Sequence, residues 1–291
     1  MGTQNIKNLH WFPGHMKKAA NQIQKTLSLC DLVLEVGDAR VPFSSLNSYL
    51  GKIIQNKQKI TLYSKTDLAD MNRLNEVLLE LSKSGQEAYG YDFKNPKEIK
   101  RLLDFLSHFK SRKAERYLRL GMSEPPLRCM VIGIPNVGKS TLINSLSGKK
   151  RVKVANKPGE TRTETMIKIN EHLELYDTPG ILEPNYEDKT KAMHLAWIGS
   201  INDDVIPLDE VIHTLGIFLL SHYKRELCSF YNLEYDGNLN IDSLFFRIGQ
   251  SRKMLKSGGE TDEERAKSAF LKDFRSGLIA KVMCDDIQKR I

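Results

Sequence analysis

The sequence predicts an α/β fold, in which helices pack on a mostly parallel β-sheet, followed by a small all-helical C-terminal domain. Up to about residue 190, short apolar segments typical of strands alternate with amphipathic segments typical of helices, which is the order of a parallel sheet. Beyond that point only the helical pattern continues. The chain has 291 residues, of which 40% are hydrophobic, so it is long enough for two cores. We expect domains at 1–195 and 196–291.

The elements of the first domain are predicted one by one along the chain. Apolar residues at helical spacing predict a helix at 16–29, and DLVLEV predicts a buried strand from residue 31 to residue 36. The elements predicted next are a helix at 46–55, a strand at 59–64, helices at 71–85 and 99–109, and a basic connector at 110–119. The last predicted elements of this domain are a strand at 128–133, a helix at 139–148 and a strand at 172–177.

The C-terminal domain is predicted from helical patterns alone. The segments lie near 189–199, 207–222 and 262–280. Thr261 and Glu264 have the spacing of a capping box that would begin the last helix. The apolar residues that share one face of this helix are Ala266, Phe270 and Phe274.

Composition narrows the class of protein. The formal net charge of +8 favours a polyanionic partner such as nucleic acid, although a uniformly solvated basic surface would give the same charge. The four cysteines are far apart and form no CxxC pair, so the pattern indicates neither a disulfide framework nor a zinc site and suits a reducing cytosol. The N-terminus lacks an apolar signal region, and the apolar run at 211–220 is too short to cross a bilayer. We expect a cytoplasmic monomer with no membrane partner.

The segment GIPNVGKST, residues 133–141, matches the phosphate-binding pattern GxxxxGK[ST] and lies between an apolar strand and an amphipathic helix, as that pattern requires. Its glycines let backbone N–H groups surround phosphate oxygens, and the helix N-terminus adds positive potential. Lys139 can reach the β- and γ-phosphates as a catalytic cation, and Ser140 can ligate Mg²⁺. The predicted nucleotide-binding residues of this loop are Asn136, Val137, Gly138, Lys139, Ser140 and Thr141.

A second phosphate-site motif, DTPG, follows an apolar strand at 177–180. Asp177 could hold Mg²⁺ through water, and Gly180 could bring its backbone N–H to the γ-phosphate. Between the two motifs, KPGETRTE contains Thr161, which could close over the metal when a γ-phosphate is bound, and Thr163, which competes for that role. The proline, glycine and charges of this loop would also fit a solvated turn.

A third motif, Ser64-Lys65-Thr66-Asp67, follows an apolar strand as a base-reading tetrad does. Asp67 can accept hydrogen bonds from the N1–H and the exocyclic amine of guanine, a pair that adenine lacks, and the stem of Lys65 can lie over the ring. An ordinary helix N-cap is the alternative interpretation. In the usual order a base-reading tetrad comes after the phosphate loop. Because a parallel sheet can be opened at one loop and rejoined at another, the inverted order predicts a circular permutation.

Several stretches together resemble the ribosome biogenesis GTPase A family, the circularly permuted P-loop GTPases of large-subunit assembly. They are HWFPGHMKKA at 10–19, GDARVPFSSLN at 37–47, the phosphate loop with its helix, PGET, DTPGILEP and the C-terminal SGGETDEERAKSAFLKDFRSG at 257–277. The resemblance covers nearly the whole chain. It implies a GTP-hydrolysing factor that acts late in assembly of the large ribosomal subunit, with a helical C-terminal domain that contacts ribosomal RNA. A nucleotide-gated RNA-binding scaffold with incidental hydrolysis is the alternative.

The chain departs from this family's pattern at two places. Ser64 stands where the family usually has Asn, which predicts weaker contact with guanine and with the phosphate loop. EAYGYD, residues 87–92, lacks the small-residue signature of the fifth motif.

The water-positioning group is also missing from its usual place. Many GTPases place a glutamine after the DxxG glycine, but Ile181 at that position has no donor or acceptor. Slow intrinsic hydrolysis therefore follows, unless another group is supplied. The resemblance offers His15 as the catalytic group, against a structural role for this histidine. It offers Asn136 as a K⁺ ligand, against a simple turn role.

Two basic segments are candidates for RNA contact. Residues 149–168 carry seven Lys or Arg against two Glu, a net charge of +5 in the loop expected to sense GTP. The connector at 110–119 adds five basic residues and Tyr117, which could stack on a base, against Glu115. Binding through phosphates would be sensitive to salt and weakly specific for sequence.

Overall fold

The computed structural model describes residues 14–54, 57–148, 165–184, 186 and 188–286. Six strands of these residues form one sheet in the order β3-β2-β1-β4-β6-β5. The strands are β1 (Leu32–Asp38), β2 (Lys59–Ser64), β3 (Ala88–Gly90), β4 (Leu127–Ile132), β5 (Thr165–Lys168) and β6 (Leu173–Asp177). The strand pairs are parallel except for β5 with β6, which is antiparallel. The predicted parallel α/β sheet is confirmed.

The sheet order explains why an inverted motif order can still build one site. The central strand β1 is buried at every position and lies between β2, which precedes the base-reading tetrad, and β4, which precedes the phosphate loop. Since these strands are parallel, their carboxyl ends meet at one edge of the sheet, where such folds bind their ligands. Chain order therefore places no limit on which loops become neighbours.

Six helices of the described residues accompany the sheet. They are α1 (Gly14–Thr26), α2 (Ser48–Ile54), α3 (Met71–Lys83), α4 (Pro96–His108), α5 (Arg112–Arg119) and α6 (Lys139–Ser147). Side-chain caps begin three of them, because Asp70, Asn95 and Ser111 accept hydrogen bonds from backbone N–H groups of the first turns of α3, α4 and α5. The segment 110–119, predicted as a connector, therefore contains a capped helix.

The C-terminal region is helical, as predicted. Its helices are α7 (Lys189–Trp197), α8 (Leu208–His222), α9 (Lys224–Tyr231), α10 (Ile241–Ser251) and α11 (Glu263–Arg275), with a 3-10 turn at Asp203–Val205. The sequence did not predict α9 and α10. The boundary expected between 195 and 196 lies inside α7. Across the described ranges, no helix is long and apolar enough to span a membrane.

The helix α11 corrects one expectation about its start. Its N-cap is Asp262, whose carboxylate accepts from the N–H of Arg265, and not Thr261 as the capping-box spacing suggested. Asp262 is one residue nearer the helix and accepts as an anion, which suits a helix N-terminus better than a hydroxyl. The predicted apolar face is confirmed, since its three residues are buried. They are Ala266, Phe270 and Phe274.

After α11 the chain returns to the first domain. Val282 forms a parallel bridge with Ala69, which follows the base-reading tetrad. Asp285 is buried, and its carboxylate accepts from the N–H and hydroxyl of Ser44 and lies 2.9 Å from Nδ1 of His194 on α7. Burial alone would raise the pKa of the Asp285 carboxyl, but His194 and Ser44 hold that pKa below its usual value. This segment therefore fastens the helical region to the sheet domain.

Candidate functional site

The loop after β4 has the backbone that phosphate binding requires. Gly133 has φ 148°, and a Cβ built on it would lie 2.4 Å from the backbone oxygen of Val36 on β1. Gly138 has φ 101° and Asn136 has φ 60°, so both occupy the left-handed region. The loop leads into α6 at Lys139, and the N–H groups at a helix N-terminus can bind an anion.

Lys139 lies folded on its own loop. Its ammonium donates to the backbone oxygens of Gly133 at 3.1 Å and Ile134 at 2.8 Å, and the residue is buried. Burial lowers the pKa of Lys139 to about 8, although the nearby Asp177 carboxylate opposes that shift. The side chain is therefore still charged at neutral pH, and phosphate oxygens can replace two carbonyl partners without burying an unpaired cation.

The DTPG motif packs directly against this loop. A Cβ on Gly180 would lie 2.8 Å from Cα of Pro135 and 3.1 Å from the Lys139 ammonium, so only glycine fits between them. The next residue, Ile181, is fully buried, its N–H donates to the oxygen of Gly133 at 3.4 Å, and its oxygen accepts from the Asn47 amide at 2.7 Å. The residue at the usual water-positioning place is thus apolar and also fixed inside the protein.

Asp177, the predicted metal ligand, is the last residue of β6. Its Oδ1 is buried without a hydrogen-bond partner among the described residues. Burial raises the pKa of Asp177 to about 6, against the opposing charge of Lys139. A buried oxygen with no donor fits a cation-bound water, and Ser140 in the first turn of α6 supplies a hydroxyl of the kind Mg²⁺ accepts. The described part of the chain has no cluster of three His, Cys, Asp or Glu that could hold a metal by itself.

Ser64 connects the base-reading tetrad to the phosphate loop. Its hydroxyl lies 2.5 Å from the oxygen of Val137 and 3.0 Å from the oxygen of Gly37, and it has one proton to give. A Cβ on Gly138 would lie 3.4 Å from the Ser64 hydroxyl oxygen. The serine therefore reaches the phosphate loop, and the predicted weakening of this contact relative to asparagine stays a prediction.

Lys65 and Asp67, the predicted base-reading residues, lie beside the phosphate loop and β1. Lys65 is in the left-handed region, with φ 58°, and its ammonium donates to Asn136 O at 2.8 Å and to Asp38 Oδ2 at 2.8 Å. Asp67 has a buried Oδ1 with no donor in the described ranges, while its Oδ2 lies 3.9 Å from the exposed ammonium of Lys94. A carboxylate oxygen held without a donor is one that a base N–H can satisfy.

Phe93 completes the site and was not predicted. It is buried, and its ring lies 3.6 Å from where a Cβ on Gly138 would be. Its backbone oxygen accepts from the Ser145 hydroxyl on α6 at 2.7 Å. The residue directly after the unusual fifth segment therefore packs against the phosphate loop with an aromatic ring, which a search for small residues could not detect.

The structure brings most of the predicted site residues to one edge of the sheet. This edge carries Ser64, Lys65, Asp67, Asn136, Val137, Gly138, Lys139, Ser140, Thr141, Asp177 and Gly180. His15 lies in the first turn of α1, but its side chain is outside the described part of the chain, as are Thr161 and Thr163. The Asn136 amide donates to the oxygen of Gly199 at 2.7 Å, a contact with the helical region that the sequence did not indicate.

Comparison with known proteins gives consistent matches. Residues 128–222 match the family described as 50S ribosome-binding GTPase. Ribosome biogenesis GTPase A of Priestia megaterium is 38% identical over 96% of this chain and 96% of its own length. Mitochondrial ribosome-associated GTPase 1 of Mus musculus is 33% identical over 94% of this chain and 89% of its own. The crystal structure of GNP-bound YlqF from T. maritima has a TM-score of 0.64 and 27% identity, and covers 93% of this chain and 100% of that one.

Proposed function

The chain belongs to the ribosome biogenesis GTPase A family, and from that membership we propose that it acts in late maturation of the large ribosomal subunit. It is a GTP-hydrolysing enzyme of ribosome biogenesis. In the proposed cycle, the GTP form binds ribosomal RNA on a precursor of the large subunit, and hydrolysis releases the protein. The observation that best supports a guanine-nucleotide switch is the joining of the base-reading tetrad to the phosphate loop through Ser64 and Lys65.

We propose that guanine is recognised by Asp67 and covered by Lys65. The donor-free Oδ1 of Asp67 and its neighbour Oδ2 match the N1–H and the 2-amino group of guanine. Adenine has no donor at N1, so binding it would leave the buried oxygen unpaired at a cost of about 1–3 kcal/mol. The ammonium of Lys65 donates to the backbone oxygen of Asn136 in the phosphate loop. With the ammonium fixed there, the aliphatic stem of Lys65 would lie along one face of the base.

The triphosphate end is proposed to bind between the phosphate loop and Gly180. Lys139 exchanges its bonds to two loop carbonyls for β- and γ-phosphate oxygens and stabilises the charge that develops there. Gly180 presents its N–H to the γ-phosphate from a position where no side chain fits. Ser140, Asp177 and Thr161 are the residues proposed to hold Mg²⁺. When bound, the metal would neutralise charge on the β- and γ-phosphates.

Because Ile181 has no polar group, the water-positioning group must come from elsewhere, and we propose His15 on α1. His15→Ala should retain GTP affinity and subunit binding but lose most of the subunit-stimulated rate, since the contact is made chiefly in the transition state. Single-turnover hydrolysis on large subunits measures this, with His10→Ala as a control from the same N-terminal stretch. A normal stimulated rate in His15→Ala would show that this histidine is structural.

A potassium ion bound by Asn136 is proposed as a second source of charge stabilisation. An amide oxygen is the kind of ligand that a cation accepts, and the Asn136 amide nitrogen donates to the oxygen of Gly199 at 2.7 Å. If so, replacing K⁺ by Na⁺ should slow hydrolysis, because the ligand set would be selective for ion size.

The surface proposed to meet RNA includes α5. Arg116 and Arg119 are exposed there, and Tyr117 is half-buried between them. The basic residues from 149 to 164 lie outside the described part of the chain, so their role rests on sequence alone. Because the sequence predicts that this loop senses GTP, RNA binding would depend on the nucleotide. We propose that the protein works as a cytoplasmic monomer; the cytoplasmic location is in keeping with four buried cysteines that form no disulfide.

Sedimentation with large ribosomal subunits tests the proposed cycle. We expect the protein to pellet with precursor or mature large subunits when loaded with a non-hydrolysable GTP analogue and to stay in the supernatant with GDP. Raising salt from 50 to 200 mM should release it, since phosphate contacts dominate. The small subunit serves as the matched control particle. Equal pelleting in both nucleotide states, or with both subunits, would contradict a GTP-switched factor of the large subunit.

A further inference from the structure

A buried ion pair lies directly behind the proposed base site. Asp38 ends β1 and Arg40 follows it; both are almost fully buried. The Arg40 guanidinium donates two hydrogen bonds to the Asp38 carboxylate, from Nε to Oδ1 at 2.9 Å and from Nη2 to Oδ2 at 2.8 Å. Burial would raise the pKa of the Asp38 carboxyl, but the charges of Arg40 and Lys65 hold it well below its usual value. Because buried ion pairs add little net stability, the role that we consider for this pair is to position the residues around it.

On one side, the pair holds the base-reading lysine. Oδ2 of Asp38, which already accepts from Arg40, also accepts from the Lys65 ammonium at 2.8 Å. The other bond of that ammonium goes to Asn136 O in the phosphate loop. The stem of Lys65 is therefore fixed at its far end by Asp38, whose own orientation is set by Arg40.

On the other side, the pair reaches the helical region. Nη1 of Arg40 donates to the backbone oxygen of Arg275 at 3.2 Å, at the end of α11. The Arg275 guanidinium forms two 2.7 Å bonds with Asp203 and also donates to the backbone oxygens of Ala196 and Trp197, which end α7. Arg40, behind the base site, thus bonds to Arg275, and Arg275 in turn bonds to the last backbone oxygens of α7.

The chain of contacts then returns to the phosphate loop. Gly199, which follows α7, packs on Arg275, since a Cβ there would lie 3.3 Å from its Nε. The oxygen of Gly199 accepts from the Asn136 amide at 2.7 Å, and the oxygen of Asn136 accepts from Lys65. The contacts therefore form a closed ring through the base-reading loop, the helical region and the phosphate loop.

We propose that Asp38 and Arg40 are positioning residues for the guanine site, and that their ring of contacts couples nucleotide binding to the α7–α11 end of the helical region. This inference rests on the proposed role of Lys65 over the base. A bound nucleotide would contact Lys65 and Asn136, which are two points of the ring, so its binding also stabilises the segment from 196 to 203. By reciprocity, loosening that segment lowers nucleotide affinity.

The test compares Arg40→Lys with Arg73→Lys. Lysine keeps the charge but cannot make the forked pair. Arg73 is the matched control, because it also joins the sheet domain to the C-terminal segment, by donating to the backbone oxygens of Met283 and Asp285. We expect Arg40→Lys to weaken binding of a fluorescent GDP by about tenfold, and Arg73→Lys by less than about twofold. Thermal unfolding without nucleotide shows whether the two variants lose comparable stability.

Hydrogen exchange provides a readout that lost stability alone would not change. At saturating GDP, amides from 196 to 203 should become protected in the wild type and in Arg73→Lys, and much less in Arg40→Lys. If Arg40→Lys does not fold, Asp203→Asn provides the test instead, because the part-exposed Asp203 carboxylate holds Arg275. Asp203→Asn should lower the affinity for GDP about threefold and reduce the protection of the same amides.

The outcomes separate this inference from the proposed base site. If Asp67→Asn loses GDP binding while Arg40→Lys, or Asp203→Asn in its place, keeps both affinity and protection, the ring is only structural and the inference is overturned. If Asp67→Asn binds GDP normally, the base-site assignment itself has failed.

Discussion

Lys139→Ala should lower the efficiency of GTP hydrolysis by at least about a hundredfold, because it removes a buried ammonium on the phosphate loop, where the charge of the transition state is proposed to develop. The fold should survive, since the variant removes a buried cation whose lowered pKa already reflects a desolvation cost. Initial rates over a range of GTP concentrations measure the loss, and circular dichroism checks the fold. Lys83→Ala on the exposed side of α3 is the control and should hydrolyse GTP as the wild type does.

Removing this ammonium should affect nucleotides unequally. GTP presents a γ-phosphate that GDP lacks, so Lys139→Ala should lose more affinity for a GTP analogue than for GDP. Turnover at the wild-type rate would refute the placement of the phosphates between this lysine and Gly180.

Asp67→Asn should change which base the protein binds. Guanine offers two N–H donors to the carboxylate, and we expect GDP affinity to fall about a hundredfold, or roughly 3 kcal/mol, when an amide replaces it. Xanthine has a carbonyl where guanine has its amine, so the amide N–H₂ of the variant can donate to it. Xanthosine diphosphate should therefore bind Asp67→Asn more tightly than it binds the wild type.

Displacement of a fluorescent nucleotide by GDP, ADP and xanthosine diphosphate measures this change of preference. Asp70→Asn is the matched control three residues away, because asparagine caps α3 as well as aspartate does, and its affinities should stay within about twofold. If ADP and GDP displaced the fluorescent nucleotide from the wild type equally well, the assignment of Asp67 to the base site would be wrong.

The parts of the fold that could be predicted are those with strong local patterns. The strands β1, β2, β4 and β6 are largely buried apolar runs, so their patterns identify them. The short strand β3 has no fully buried residue, and β5 has one, Ile167, so neither carries a clear apolar pattern. Both depend on pairing with a neighbour, β3 with β2 and β5 with β6. A single sequence carries little trace of such pairing.

The candidate site also has one part that could be predicted from the sequence and one part that could not. Contiguous motifs such as the phosphate loop can be read from sequence, because their residues act together over a few positions. The ring through Arg40 and Arg275 joins residues 235 positions apart, and its acceptors are mostly backbone oxygens, which any residue could provide. DAR at 38–40 is a charged pair after an apolar strand, and that placement is the signal that could have drawn attention to it.

Steady-state GTP hydrolysis with and without purified large ribosomal subunits tests the central claim most directly. Ile181, a buried isoleucine, occupies the position that usually orients the attacking water. The protein should therefore hydrolyse GTP slowly alone and about tenfold or more faster with the large subunit, as partner-completed GTPase sites do. Small subunits at the same concentration should leave the rate unchanged. A rate that is the same with and without large subunits would contradict the account and favour a nucleotide-gated RNA-binding scaffold in which hydrolysis is incidental.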